Sequence, residues 1–199
     1  MRFQMPFTPF HLGPALFLGL LLFQLVDFPT LLVASVILDL EPLSVLTLGL
    51  DYPLHGFFHS FLGGTIVAAA LGLVMFGLSG ITREVLKFFA LEQSSSHRAI
   101  MLASFLGVYS HILLDSPLYA DIMPFFPSSA NPFFAGDTFA GIYISALCIL
   151  LFLLGIVAYG ARLIVRARGK SSDSIEEADS LVRSPVTVNA NSSFLAEAQ

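Results

Sequence analysis

Ala99-Ile100-Met101-Leu102-Ala103-Ser104-Phe105-Leu106-Gly107-Val108-Tyr109-Ser110-His111-Ile112-Leu113-Leu114-Asp115-Ser116 is an apolar run that stops against Pro117. It is close to the ~20 residues a helix needs to cross the hydrocarbon core of a bilayer. It nevertheless carries a histidine and an aspartate near its end. Positions i and i+4 share a helix face, so His111 and Asp115 can reach one ion. Ionisable groups are costly inside a membrane and mark functional sites where they occur. The run therefore sets two expectations: a membrane-spanning helix, and a polar site at one end of it.

His55-Gly56-Phe57-Phe58-His59 repeats the four-residue spacing at the start of another apolar stretch. Reading outward from these two motifs gives about five spans: Leu12–Val26, Pro29–Asp39, Gly56–Leu78, Ala99–Ser116 and Phe139–Val165. Asp27-Phe28-Pro29 reads as a turn with Pro29 starting the second helix, and Pro42 as its end or kink. Leu43–Leu50 reads as a short re-entrant or interfacial piece. Over Ile81–Gln93, Ile81, Val85, Phe88 and Phe89 share one face and Arg83, Glu84 and Lys87 lie elsewhere, which suits a helix lying on the membrane surface.

Composition agrees. The chain of 199 residues is 56% hydrophobic and 12% charged, with a mean hydropathy of +0.83, too apolar for an ordinary soluble domain. The net charge of −5 argues against a nucleic-acid partner. The single cysteine, Cys148, excludes an intramolecular disulfide and a cysteine zinc cluster, and reads as a small core residue. The fold class expected is an all-α, polytopic membrane helical bundle of about five transmembrane helices with one interfacial helix. Residues 1–168 would form the transmembrane domain, and residues 169–199, rich in Ser, Glu, Asp, Asn and Ala, a disordered polar tail.

Parity adds a topological expectation. A chain that crosses back and forth returns to the same side after every two spans. His11 starts span one, Asp39 and Glu41 end span two, His55 and His59 start span three, and His111 and Asp115 end span four. All of these fall on one side. Arg83, Lys87 and Arg98, and later Arg162, Arg166, Arg168 and Lys170, fall on the other. The positive-inside rule makes that second side cytoplasmic. The expected location is the cell membrane, multi-pass, with the site extracytoplasmic and the C-terminal tail cytoplasmic.

Imidazole and carboxylate without thiolate suit zinc, manganese or iron. His11, Asp39, His55, His59, His111 and Asp115 are the candidate ligands, more than one ion's protein ligands and enough for one or two divalent ions. Two adjacent ions are a common arrangement for hydrolysing phosphoesters. Asp39, Asp115 and Asp121 are the candidate catalytic carboxylates. Asp51, Asp121 and Asp137 fall on the same face and could orient the histidines or act as a base. A histidine on an apolar helix can also be a packing residue that hydrogen-bonds a neighbour, and His11 alone admits both readings. Glu41 reads as an interfacial residue, and His97, beside Arg98, as a solvent- or headgroup-facing one.

Thr8-Pro9-Phe10-His11, Asp39-Leu40-Glu41-Pro42, His55-Gly56-Phe57-Phe58-His59-Ser60 and Gly107-Val108-Tyr109-Ser110-His111-Ile112-Leu113-Leu114-Asp115-Ser116-Pro117 resemble the motifs of a family of membrane-bound metal-dependent hydrolases, the LexA-regulated inner-membrane hydrolases among them. The resemblance covers roughly residues 6–134, including Asn131-Pro132-Phe133. It implies hydrolysis with a divalent transition metal, zinc or manganese. The family is linked to zinc-dependent phospholipase C and related nucleases, whose His-x-x-x-Asp pairs bind zinc. Bacterial members space the two histidines as His-x-x-x-x-His; here the spacing is His-x-x-x-His, as in an archaeal-type branch.

The leading functional expectation is a membrane-embedded metal-dependent hydrolase acting on a phosphoester, with membrane lipid as partner and a lipid or headgroup as substrate. An ion or small-solute transporter using intramembrane His and Asp is the first alternative, though the paired interrupted half-helices of a repeat transporter are not evident. A haem-binding electron carrier using His55 or His59 with His111 is the second. A structural assembly protein stapled by a metal is the third.

Overall fold

The computed structural model describes residues 9–94, 96–136 and 138–183. Its regular elements are seven α-helices, α1 (Leu12–Leu21), α2 (Phe28–Ala34), α3 (Leu40–Leu48), α4 (Phe61–Gly77), α5 (Ser79–Phe88), α6 (His97–Asp115) and α7 (Thr138–Arg183), with 3-10 turns at Pro9–His11, Ile37–Asp39 and Phe57–His59. Among the described residues there is no β-strand. The chain divides into two units at Ala161: the helical bundle before it, and after it the last part of α7, helical to Arg183.

The central helix is α6, packed chiefly against α4 and α2. Ala34, Leu38, Ala68, Leu71, Met75, Ile100, Val108 and Ile112 form the core between them. Small residues let these helices approach closely, as packing inside a membrane requires. A Cβ on Gly107 would collide with the Ala34 side chain and lie 3.0 Å from the Leu31 carbonyl oxygen, and one on Gly64 would lie 2.7 Å from Ile112 Cδ1. Gly107→Val is therefore expected to push α2 away from α6 and cost about 1–3 kcal/mol. Thermal unfolding in detergent should show a lowered Tm, and Gly77→Ala, which meets no atom within 4 Å, an unchanged or slightly raised one. Equal Tm values would refute the close-packing account.

Among the described residues, three helices are long and apolar enough to cross a membrane: Phe28–Leu48, His97–Asp115 and Phe139–Gly169. A fourth span arises if α4 and α5, bent by 72°, count as one. The expected number of about five is thus approximate, because the first stretch is helical only over Leu12–Leu21. At 1.5 Å per residue that is about 15 Å, half the hydrocarbon core. The chain then turns at Asp27, whose carboxylate caps α2 by accepting the Thr30 N–H at 2.9 Å. Gln93 clips the same turn: its amide donates to the Val26 carbonyl at 2.6 Å and its oxygen accepts the Phe28 N–H at 3.0 Å.

The second span does not end near Asp39. After the 3-10 turn at Ile37–Asp39 it continues through α3, taking in the segment expected to be re-entrant. Pro42 fails to stop it because it occupies the first turn of α3, where a backbone N–H has no intrahelical partner to lose. Helix α5 exposes Ile81, Val85 and Phe88 and buries Leu86, the form expected of an interfacial helix. At the other end of the chain, α7 runs past the composition change at Lys170 to Arg183, since no proline interrupts it and Glu and Ala are good helix formers. That part of the expected disordered tail is helical; the rest, residues 184–199, lies outside the described residues. Cys148 is buried, as expected of a small core residue.

Candidate metal centre

The site is built on the end of α6. His111 and Asp115, one turn apart, are both buried, and His111 Nε2 lies 3.3 Å from Asp115 Oδ2. The break between α2 and α3 supplies the next groups. The Ser35 carbonyl faces His111 Nδ1 at 2.8 Å, and Asp39, closing the 3-10 turn, brings Oδ1 to 3.8 Å from His111 Nε2. A carbonyl can only accept, so Nδ1 carries the proton and Nε2 presents a lone pair. The 3-10 turn ahead of α1 places His11 over His111, ring centroids 4.0 Å apart, with Nε2 3.1 Å from Asp115 Oδ1.

His55 and His59 arrive differently from the sequence expectation. They do not lie on a helix face. Gly56 has φ −90° and ψ −141°, the chain makes a 3-10 turn over Phe57–His59, and α4 begins only at Phe61. Ser60 sets that boundary by capping α4: its hydroxyl accepts the Gly63 N–H at 3.0 Å. A Cβ on Gly56 would displace the Tyr52 ring, whose hydroxyl accepts the Phe57 N–H at 2.9 Å. The two histidines still meet, with ring centroids 4.8 Å apart.

Each of these rings is held from behind by an acceptor. His59 Nδ1 is 2.7 Å from Glu41 Oε2, and His55 Nδ1 is 3.1 Å from Asp121 Oδ1. Asp121 also accepts the His55 backbone N–H at 3.1 Å. As at His111, the anchored Nδ1 leaves Nε2 to face the site. Such outer partners fix tautomer and ring orientation in metal-ligating histidines. Four buried ring nitrogens lack a hydrogen-bond partner among the described residues: His11 Nδ1 and Nε2, His59 Nε2 and His111 Nε2. The short His11–Asp115 and His111–Asp115 separations do not have hydrogen-bond geometry. An unsatisfied buried polar group costs about 1–3 kcal/mol, so several facing one point need an explanation.

The ligand atoms meet that need. One atom each from His11, Asp39, His111 and Asp115 lie within 4.8 Å of one another, as do atoms from His55, His59 and Asp115. All six residues are buried. These groups are positioned to hold a metal ion. Burial, the largest effect, holds the His59 imidazole below its ordinary pKa, and His111 and His55 add to the depression against the opposing Glu41 hydrogen bond. Burial works to raise the Asp121 carboxyl, but the hydrogen bond and charge of His55 outweigh it and hold it below its ordinary value. Tyr119, its ring tilted against His55 with centroids 4.1 Å apart, is pushed up to about 12 by burial and by Asp115, Asp39 and Asp121.

The six expected ligands thus come together from four separate parts of the chain. Asp121 stands behind His55, outside both ligand groups. Asp51 is exposed and belongs to neither, and Asp137 lies outside the described residues. His97 is exposed, stacked on Phe76 away from these groups. Glu41, Tyr119 and the Ser35 carbonyl were not expected as site groups. The signal for Glu41 was present: a carboxylate two residues from Asp39 in an apolar span. Glu41→Ala is expected to weaken metal binding about 10–100-fold by freeing the His59 ring. Competition with a chelator measures it, and an unchanged affinity would show that the Glu41 contact orients nothing.

Comparison with protein-family models, with curated proteins and with solved structures finds no match to this chain. Fold and site together define a helical protein of membrane type with a buried histidine–aspartate cluster able to bind metal.

Proposed function

We propose that this chain is a membrane-embedded, metal-dependent hydrolase acting on a phosphoester in a lipid or lipid headgroup, in keeping with the motif resemblance to membrane-bound metal-dependent hydrolases. The observation that carries the reading is the convergence of unpartnered imidazole nitrogens on Asp39 and Asp115 within a bundle of apolar helices. A divalent zinc or manganese ion held there would polarise a phosphoryl oxygen and acidify a water. The protein's own part is to hold the rings through Glu41, Asp121 and Ser35, to supply carboxylates able to take a proton, and to keep the Tyr119 phenol neutral as a hydrogen-bond donor.

The lipid assignment rests on a cavity of about 430 Å³ lined by Ile37, Leu38, Val45, Leu50, Phe58 and Val67, with Glu41 and Tyr52 in its wall. Its volume falls in the ~300–1,000 Å³ range of small-molecule sites. Its apolar wall suits a hydrocarbon chain, and Glu41 joins it to His59. The haem alternative is disfavoured by spacing. For the His59–His111 pair, ring centroids 5.4 Å apart leave no room for a macrocycle between them. The site is placed at the outer face and the C-terminal tail in the cytoplasm, on the distribution of Lys and Arg.

The test is a phosphoesterase screen of the purified protein in detergent with added zinc or manganese, comparing phospholipids with a water-soluble phosphoester. Turnover of phospholipid above that of the soluble ester is expected. No phosphoester hydrolysis by the wild type would remove the proposed activity.

A further inference from the structure

The ligand atoms fall into two groups, and only Asp115 belongs to both. The first group has four protein ligands, His11, Asp39, His111 and Asp115; the second has three, His55, His59 and Asp115. Each contains a fully or nearly fully buried imidazole nitrogen without a hydrogen-bond partner: His11 Nε2 and His111 Nε2 in the first, His59 Nε2 in the second.

Charge points the same way. The carboxylates of Asp39, Asp115 and Glu41 are buried, with side-chain exposures of 7%, 4% and 7%, and that of Asp121 is partly open at 40%. The ion pairs found for all four are with histidines. At His55, His59 and His111 the Nδ1 contact turns Nε2 toward the ligand groups. Carboxylates buried in an apolar bundle are expensive unless cations or donors lie close to them.

We infer that the centre takes two divalent cations with Asp115 as the shared carboxylate, and that the two positions differ in kind. This rests on the metal-binding part of the proposed function. The first position is closed by four protein ligands, the pattern of a tightly held structural ion. The second has three protein ligands and keeps a place for water or substrate, the pattern of a catalytic ion. It is also the position beside Tyr119, whose ring is tilted against His55, and beside Glu41 at the cavity wall. Substrate is therefore met at the His55–His59 position, and the His11–Asp39–His111 position holds Asp115 in place.

The experiment is metal stoichiometry of the full-length protein, stripped with a chelator, reloaded with zinc and desalted, alongside electron paramagnetic resonance of the manganese form. Two zinc ions per chain and a spin-coupled manganese pair are expected for the wild type. His59→Ala should retain one ion and give an uncoupled manganese signal. One ion per wild-type chain with no spin coupling would overturn the two-ion inference and leave the metal reading standing. No bound ion would overturn both. Two ions retained in His59→Ala would overturn the assignment of the second position. The wild-type measurements need no variant, so a misfolded His59→Ala leaves the inference open to refutation.

Discussion

Asp115→Asn is expected to abolish hydrolysis and strip metal from the protein while leaving a folded, membrane-inserted chain. Asp115 is the one residue common to both ligand groups, with His11 Nε2 at 3.1 Å and His111 Nε2 at 3.3 Å. An amide is a weak metal ligand and carries no charge to balance the ion, so binding should fall by more than the ~10–100-fold that loss of an outer partner costs. Insertion should survive or improve, because α6 keeps its apolar length and loses a charge. Activity and metal content are measured on the same preparation, with circular dichroism to check helicity. Full activity in the variant would show that Asp115 is not at the reacting centre.

The second large effect is expected from His59→Ala. It removes the fully buried ring whose Nε2 has no hydrogen-bond partner, and with it the activity. It also strands Glu41, which loses its 2.7 Å partner and, among the described residues, keeps the longer Phe58 N–H contact at 3.3 Å. Stranding a buried acceptor costs about 1–3 kcal/mol, so the variant should unfold at lower temperature. The double variant His59→Ala, Glu41→Leu separates the two roles. It should regain much of the stability, since both polar partners are then gone, and none of the activity. Recovery of activity would mean that His59 serves only to satisfy Glu41.

Much of this site was legible in the sequence, for a reason visible in its residues. His11, Asp39, His55, His59, His111 and Asp115 stand out as ionisable residues against apolar surroundings. The His111–Asp115 spacing does what helical geometry requires. The His55–His59 spacing reaches a similar end by another route, a 3-10 turn between Gly56 and the Ser60 cap, because short-range spacing does not reveal where a helix begins. Span boundaries were less legible. Pro42 looked like a stop but sits in a first turn, and Leu12–Val26 looked continuous but breaks after Leu21. The Asp27–Thr30 cap and the Gln93 clip that make that break depend on contacts between distant segments. Glu41, Tyr119 and Ser35 were missed because their roles depend on tertiary neighbours: two act through a histidine Nδ1, and the Tyr119 ring is tilted against His55.

The central claim is that the buried histidine–aspartate cluster binds metal. Elemental analysis of the purified wild-type protein, with His111→Ala purified in parallel, tests it most directly. His111 donates from Nδ1 to the Ser35 carbonyl and presents Nε2 beside Asp39 and Asp115, so its loss should remove the metal without touching the outer loops. The account predicts a stoichiometric transition metal in the wild type that is lost or sharply reduced in His111→Ala. No metal in the wild type, or equal metal in both proteins, would contradict it.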